Sequence, residues 1–370
     1  MKMVIAGGGT GGHLFPGIAL AEEVTTRHPD NRVLFVGTRR GLESRVVPSA
    51  GFPLETVEVS GLKGMGFWKR LKAVLQLPLA FLSSWSILRR FRPDVVVGVG
   101  GYSSGPVVVA AWLQGVVTAI QEQNALPGAT NRILGKLVRA VFIAFEEARA
   151  AFPAGKTYLV GNPVRRKLMD NYLRSRPTVS DEHFRLLVLG GSQGARGLNT
   201  RVLEALPHLD PLRDRLVIRH QTGSADLDRV RSAYQAAGVK AEVVEFIEDV
   251  SAAYAQASLV LCRAGATTLA ELTICKKAAI LVPFPFASDD HQAVNAQALV
   301  EAGAARMFRE SELTGELLAA ELRRLAAEPE TLQRMERAAG HLGRPEAARE
   351  LVDVCVELVD GAHRGQVVPR

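Results

Sequence analysis

One arrangement occurs twice in this chain and constrains its fold more than any other feature. Met3-Val4-Ile5-Ala6 runs into Gly7-Gly8-Gly9-Thr10-Gly11-Gly12-His13, and Leu186-Leu187-Val188-Leu189 runs into Gly190-Gly191-Ser192-Gln193-Gly194-Ala195. Each reads as a buried strand, a glycine loop and a helix start. Apolar runs then alternate with helix-period segments, at residues 32–36 and 95–99 in the first half and at 216–219, 241–246, 259–262 and 279–282 in the second. Strands apolar on both faces belong to parallel sheets covered by helices. A single core stops growing near ~250–300 residues, so 370 residues predict two such α/β domains. The Gly- and Pro-bearing segment Val160-Gly161-Asn162-Pro163-Val164-Arg165 is favoured as the linker over the polar stretch 175–181. From Pro345 onward, Ala348, Leu351, Val352, Cys355 and Val359 recur at helical spacing, which predicts an amphipathic helix packed on a domain.

Composition narrows the classes. With 47% hydrophobic and 22% charged residues the chain is an ordinary globular protein, not a disordered one. Three cysteines without CxxC or zinc-like spacing support neither a disulfide framework nor a structural metal. The first apolar stretch is too short for a signal peptide, so secretion is not expected. Residues 95–120 are long enough to span a membrane, but Gly100-Gly101-Tyr102-Ser103-Ser104-Gly105-Pro106 breaks them, predicting a strand, a turn and a second buried element. A net charge of +7 suits an anionic partner without choosing among phosphorylated small molecules, nucleic acid and acidic lipid.

The first glycine loop formally matches the dinucleotide fingerprint, yet Val36 is followed by Gly37-Thr38-Arg39-Arg40 where an acidic residue would hold the ribose. Only an NADP version of that reading survives. Otherwise the glycines bare the backbone for close approach of a phosphate, sugar or diphosphate to a helix N-terminus. His13 follows the loop at the first helical turn, where the dipole favours the neutral imidazole able to accept a proton. In the second half, Cys262-Arg263-Ala264-Gly265-Ala266-Thr267-Thr268-Leu269-Ala270-Glu271 ends a strand and opens a helix whose free N–H groups suit a diphosphate. Glu271, about two turns in, is placed to accept hydrogen bonds from vicinal sugar hydroxyls. Gln292 and Asn295, at i and i+3, offer neutral amides to a hydroxyl-rich ligand. Asp226-Leu227-Asp228 reads as a capped helix start, so no metal is expected.

Taken in order, Gly8 to His13, Gly100 to Pro106, Glu122-Gln123-Asn124, Gly161 to Arg165, Gly190 to Ala195, Glu245-Phe246-Ile247, Arg263 to Glu271 and Asp290 to Ala296 strongly resemble the bacterial peptidoglycan N-acetylglucosaminyltransferases, the MurG family. The resemblance runs from Met3 to about Pro345. It implies an α/β GT-B architecture: two Rossmann-like, doubly wound parallel-sheet domains facing across a cleft. Residues 1–162 would form the acceptor- and membrane-associated domain and 163–344 the UDP-GlcNAc domain, with 345–370 packing back on the first. The implied enzyme is an inverting UDP-GlcNAc-dependent hexosyltransferase of peptidoglycan synthesis that converts lipid I to lipid II. Another GT-B lipid glycosyltransferase, or a non-catalytic nucleotide-sugar binder, stands as the alternative.

Carried onto this sequence, the resemblance places the uracil at Ile247 and Phe246, the ribose at Glu271, and the diphosphate at Ser192 and the Ala266, Thr267, Thr268, Leu269, Ala270 turn. Gln292 and Asn295 would read the sugar; Thr10, Gly11, Gly12 and Asn124 would close over it, and Arg165 would complete the nucleotide site. His13 and Glu122 would be catalytic, with His13 and Tyr102 facing the acceptor. Two departures stand out: Cys275-Lys276-Lys277-Ala278, where the family usually shows a Gly and a Pro, and His291, where some members carry glutamine. The implied partners are UDP-GlcNAc, lipid I and the anionic membrane, with no metal or other cofactor. No aromatic-basic stacking motif supports nucleic acid. Lys63, Lys69, Arg70 and Lys72 beside Met65, Phe67 and Trp68 form a segment suited to an anionic surface, which predicts a peripheral protein on the cytoplasmic face of the plasma membrane.

Overall fold

The computed structural model describes residues 1–39, 41–59, 67–175, 183–191 and 194–364, with the backbone alone described at 67–76, 288 and 363. The chain divides into two compact units, 1–165 with 345–370, and 166–344. The first division falls at the end of the Gly- and Pro-bearing segment.

The first unit contains β1 (Lys2–Gly7), β2 (Arg32–Gly37), β3 (Leu54–Thr56), β4 (Val95–Gly100), β5 (Val117–Glu122), β6 (Ala140–Ile143) and β7 (Thr157–Leu159). All its pairings are parallel, in the order β3-β2-β1-β4-β5-β6-β7. Parallel neighbours need crossovers, supplied chiefly by α1 (Gly11–Arg27), α2 (Glu43–Ser49), α3 (Phe67–Phe91), α4 (Ser104–Leu113) and α5 (Ala129–Leu137). Leu14, Ile18 and Val24 of α1 cover one face of the sheet, and Val107, Val108 and Ala111 of α4 cover the other. This two-sided burial is why the strands read as unbroken apolar runs. The strand order reverses between β1 and β4, so the connections leaving their carboxyl ends part to opposite faces and open a crevice there.

The second unit repeats the plan with β8 (Phe184–Leu189), β9 (Leu216–Gln221), β10 (Ala241–Val244), β11 (Leu259–Cys262), β12 (Ala279–Leu281) and β13 (Ala305–Met307). Their order is β10-β9-β8-β11-β12-β13, again parallel throughout, with its reversal between β8 and β11. Around it lie α6 (Arg166–Arg174), α7 (Arg196–Ala205), α8 (Leu227–Ala237), α9 (Val250–Gln256), α10 (Ala266–Ile274), α11 (His291–Glu301), α12 (Gly315–Ala327) and α13 (Pro329–Leu342). The last helix, α14 (Ala347–His363), belongs to the first unit, where Leu351, Val352, Cys355 and Val359 join the α1 side of the core. Arg27 of α1 ties it down, donating to Asp353 at 2.6 Å and to the Arg349 carbonyl at 2.9 Å.

Three sequence expectations gain detail. Residues 95–120 resolve into β4, a turn, α4 and the start of β5, and no helix among the described residues is long and apolar enough to cross a membrane. The strand expected through Phe246 ends at Val244, leaving Phe246 60% exposed beyond the sheet. Asp226 does precede α8, but its side chain does not cap that helix; it accepts from Asn199 at 2.9 Å and pairs with Arg229 at 2.9 Å instead.

Candidate active site

In the first unit the site grows from the strand-order reversal. Gly7 ends β1, Gly100 ends β4, and the two glycine loops that follow interlock. A Cβ at Gly101, whose φ is +83°, would run into the Gly8 carbonyl, and one at Gly100 would stand 2.6 Å from His13 Cδ2 and 2.9 Å from its Nε2. Glycine at these positions therefore lets a backbone pass flat against the His13 ring. His13 is the third residue of α1 and half-buried. Its Nδ1 lies 3.3 Å from the hydroxyl of Thr10, the exposed residue before the helix. Gly11 and Gly12 open the same helical turn. Tyr102 is exposed just beyond Gly101.

Glu43, an acid beyond the end of β2 that the sequence does not single out, is packed against the same loop. It sits at the start of α2, wholly enclosed, and its carboxylate accepts from Gly9 N–H at 2.7 Å and Thr38 N–H at 2.8 Å. Gly8, Gly37 and Gly41 surround it, and a Cβ at any of the three would collide with the Glu43 side chain.

Glu122, expected to be catalytic, ends β5 and is 2% exposed. It accepts from the Asn124 N–H at 3.0 Å, the Gly128 N–H at 3.1 Å and the Asn131 amide at 2.9 Å. Burial pushes its carboxyl above the ordinary range, and these donors pull partly back. The arrangement orders the turn carrying Asn124, whose own amide also reaches Glu122, at 3.3 Å. Arg165, the last residue of the first unit's main segment, stacks over the Phe15 ring of α1 with its guanidinium 4.7 Å from the ring centre.

The second unit places its glycine loop and the α10 N-terminus after the neighbouring strands β8 and β11. Gln221, also missed, braces this loop: its side chain accepts from Gly190 N–H at 3.1 Å and donates to the carbonyls of Gly191 and Glu245, each at 3.0 Å. It thus links the loop to the backbone leading to Phe246 and the buried Ile247. Ser192 lies outside the described residues. Gly265 precedes α10 without offering a side-chain cap, so the amides of Ala266, Thr267 and Thr268 open the helix. Leu269 is core; Ala270 is half-buried beside it. Glu271 is nearly buried and accepts from the Tyr254 hydroxyl at 3.0 Å, which fixes its carboxylate. Gln292 and Asn295 both lie on α11: Gln292 accepts from Phe284 N–H at 3.0 Å, and the fully buried Asn295 amide lies 3.5 Å from the Ala264 carbonyl, under the α10 loop.

Comparison with known proteins follows this geometry. Residues 3–143 match the glycosyltransferase family 28 N-terminal domain, and residues 185–351 match the glycosyltransferase family 28 C-terminal domain. The chain belongs to glycosyltransferase family 28. Its two doubly wound parallel sheets are those of the GT-B class. A relative in Myxococcus xanthus, named UDP-N-acetylglucosamine--N-acetylmuramyl-(pentapeptide) pyrophosphoryl-undecaprenol N-acetylglucosamine transferase, is 68% identical over 97% of this chain and 93% of its own length. A Geobacter relative of the same name is 50% identical over 96% of each chain. Among solved structures, Acinetobacter baumannii MurG matches with a TM-score of 0.78 at 32% identity, covering 96% of this chain and 99% of that one. A Neisseria meningitidis UDP-GlcNAc 2-epimerase, at 14% identity and a TM-score of 0.67, shares the fold alone. The dehydrogenase reading of the first loop falls with the family assignment.

Proposed function

We propose that this family 28 enzyme is an inverting glycosyltransferase that moves GlcNAc from UDP-GlcNAc to the C4 hydroxyl of MurNAc in lipid I, yielding lipid II for peptidoglycan. The observation that carries the reading is 68% identity, over 97% of the chain, to the Myxococcus transferase of that name. The acceptor hydroxyl attacks the anomeric carbon, its proton passes to a base, and UDP leaves from the opposite face. His13 is assigned as that base, supported by its place at a helix N-terminus beside the bare glycine loop. Glu122 is assigned to hold the Asn124 turn in shape rather than to move a proton, since its oxygens already accept protein donors. The developing diphosphate charge falls to the opening amides of α10 and its dipole, and the reading calls for no metal or other cofactor. Glu271, fixed by Tyr254, is assigned to the ribose, and Phe246 and Ile247 to the uracil. Thr10, Gly11, Gly12, Asn124, Gln292 and Asn295 are assigned to the donor sugar, Arg165 to the nucleotide, and Tyr102 to the acceptor. UDP release measured with and without lipid I tests the reading: release that ignores lipid I would refute it.

The lipid acceptor calls for a peripheral membrane enzyme on the cytoplasmic face. Lys63 and Met65 lie outside the described residues, and for Phe67, Trp68, Lys69, Arg70 and Lys72 only the α3 backbone is described. Support comes from further along: Leu79 and Leu82 of α3 and Trp112 and Leu113 of α4 are exposed on two helices that pack together. Exposed Arg89 and Arg92 stand at the end of α3. Exposed apolar side chains and cations on one helix pair suit an anionic headgroup layer.

A further inference from the structure

The first glycine loop carries its own anion. Glu43 Oε2 accepts from Gly9 N–H at 2.7 Å, while Oε1 accepts from the Thr38 N–H at 2.8 Å and the Thr38 hydroxyl at 2.7 Å. The side chain is 0% exposed, walled by Gly8, Gly37 and Gly41. In a dinucleotide fold the amides of such a loop meet a substrate pyrophosphate; here one loop amide, that of Gly9, meets an internal carboxylate that also takes the Thr38 N–H beyond β2. Burial alone would raise the carboxyl, but the donated hydrogen bonds outweigh it and hold it below its ordinary range, so the charge persists at working pH.

The loop is gripped from both sides. Glu43 holds Gly9, the residue before Thr10, and the His13 N–H donates to the Thr10 carbonyl at 3.3 Å. On the other side Gly101 abuts the Gly8 carbonyl and Gly100 faces the His13 ring. We propose that Glu43 is a positioning residue, an internal replacement for phosphate whose charge sets the Gly9 to His13 segment and so the place of the His13 imidazole. The proposal rests on the transferase reading above, in which His13 receives the acceptor proton.

The test compares full-length Glu43→Gln, Glu43→Asp and Thr38→Val with the parent, each first shown folded by thermal melt. Glutamine keeps the size, removes the charge and turns an N–H₂ toward donors that need an acceptor. For Glu43→Gln the expected result is a kcat about 10- to 100-fold lower, with the affinity for UDP, which lacks the sugar that this segment would meet, within twofold by calorimetry and the limbs of the pH–rate profile in place. Aspartate recovers part of the rate, and Thr38→Val, which deletes one of the three donors, lowers it a few-fold. The His13 ring signals in the NMR spectrum move in Glu43→Gln whether or not the protein turns over. A folded Glu43→Gln with parental kcat, a lost limb of the pH profile, or unmoved His13 signals would each overturn the proposal. A parent that does not transfer to lipid I overturns the transferase reading instead, and the His13 signals then still decide the role of Glu43.

Discussion

The contact between Gly100 and His13 makes a quantitative prediction, and Gly100→Ala is the perturbation. Gly100 has φ +97°, a region in which a side chain is strained, at a cost of about 1–2 kcal/mol. The new methyl would also stand 2.6 Å from His13 Cδ2, and overpacking of this kind costs about 1–3 kcal/mol. The sum centres on about 3.5 kcal/mol, a Tm lower by about 7–14 °C for a unit of this size. Turnover should fall with it, because relief of the clash moves the His13 ring. In a His13→Ala background the ring is gone and only the backbone cost of about 1–2 kcal/mol remains, so the two changes must be non-additive in stability. Melts and denaturant titrations of the parent, both single variants and the double variant close the cycle. A coupling energy near zero, or a Gly100→Ala enzyme that keeps parental kcat, would refute the argument that Gly100 exists to seat His13.

Further outcomes follow from other parts of the molecule. His13→Ala alone should lower kcat roughly 10²–10⁴-fold with UDP-GlcNAc affinity unchanged by calorimetry. Glu271→Ala should weaken donor binding by about 1–3 kcal/mol, since a carboxylate held by Tyr254 is lost from the ribose. Burial pushes the His220 imidazole down to about 3, with Asp226 pulling partly back, while the unfolded chain titrates near 6.5. The unfolded state therefore holds the extra proton in that window, and stability falls as pH falls: about 2 kcal/mol between pH 7 and 5, an increment that denaturant titration should show to be absent in His220→Gln. Replacing Leu79, Leu82, Trp112 and Leu113 together with Ser should largely abolish co-sedimentation with phosphatidylglycerol vesicles at unchanged donor affinity, each side chain forfeiting about 1 kcal/mol or more of apolar burial.

The strand-loop-helix openings at Met3 and Leu186 and the plan of two parallel-sheet halves were legible because they depend on local chemistry. Apolar runs make buried strands, glycines permit tight exits, and periodicity marks helices. Glu43, Gln221 and the true surroundings of Glu122 were not legible, because a carboxylate or amide announces neither its burial nor its partners until strands distant in sequence lie side by side. Glu122 shows the difference: by type and context it reads as an acid at a site, and only the fold shows that its buried carboxylate accepts from Asn124, Gly128 and Asn131. Asp226 likewise has the place of a helix cap and serves Asn199 and Arg229.

By itself, the sequence determined the main buried strands and which loops between them are rich in glycine, since propensity and glycine conformational freedom act over a few residues. Only the tertiary structure decided that β1 lies against β4 and β8 against β11, and with that, which loops meet at the reversal of strand order. Strand order is settled by burial of both sheet faces although residues 8–94 separate β1 from β4, a balance that no local pattern records.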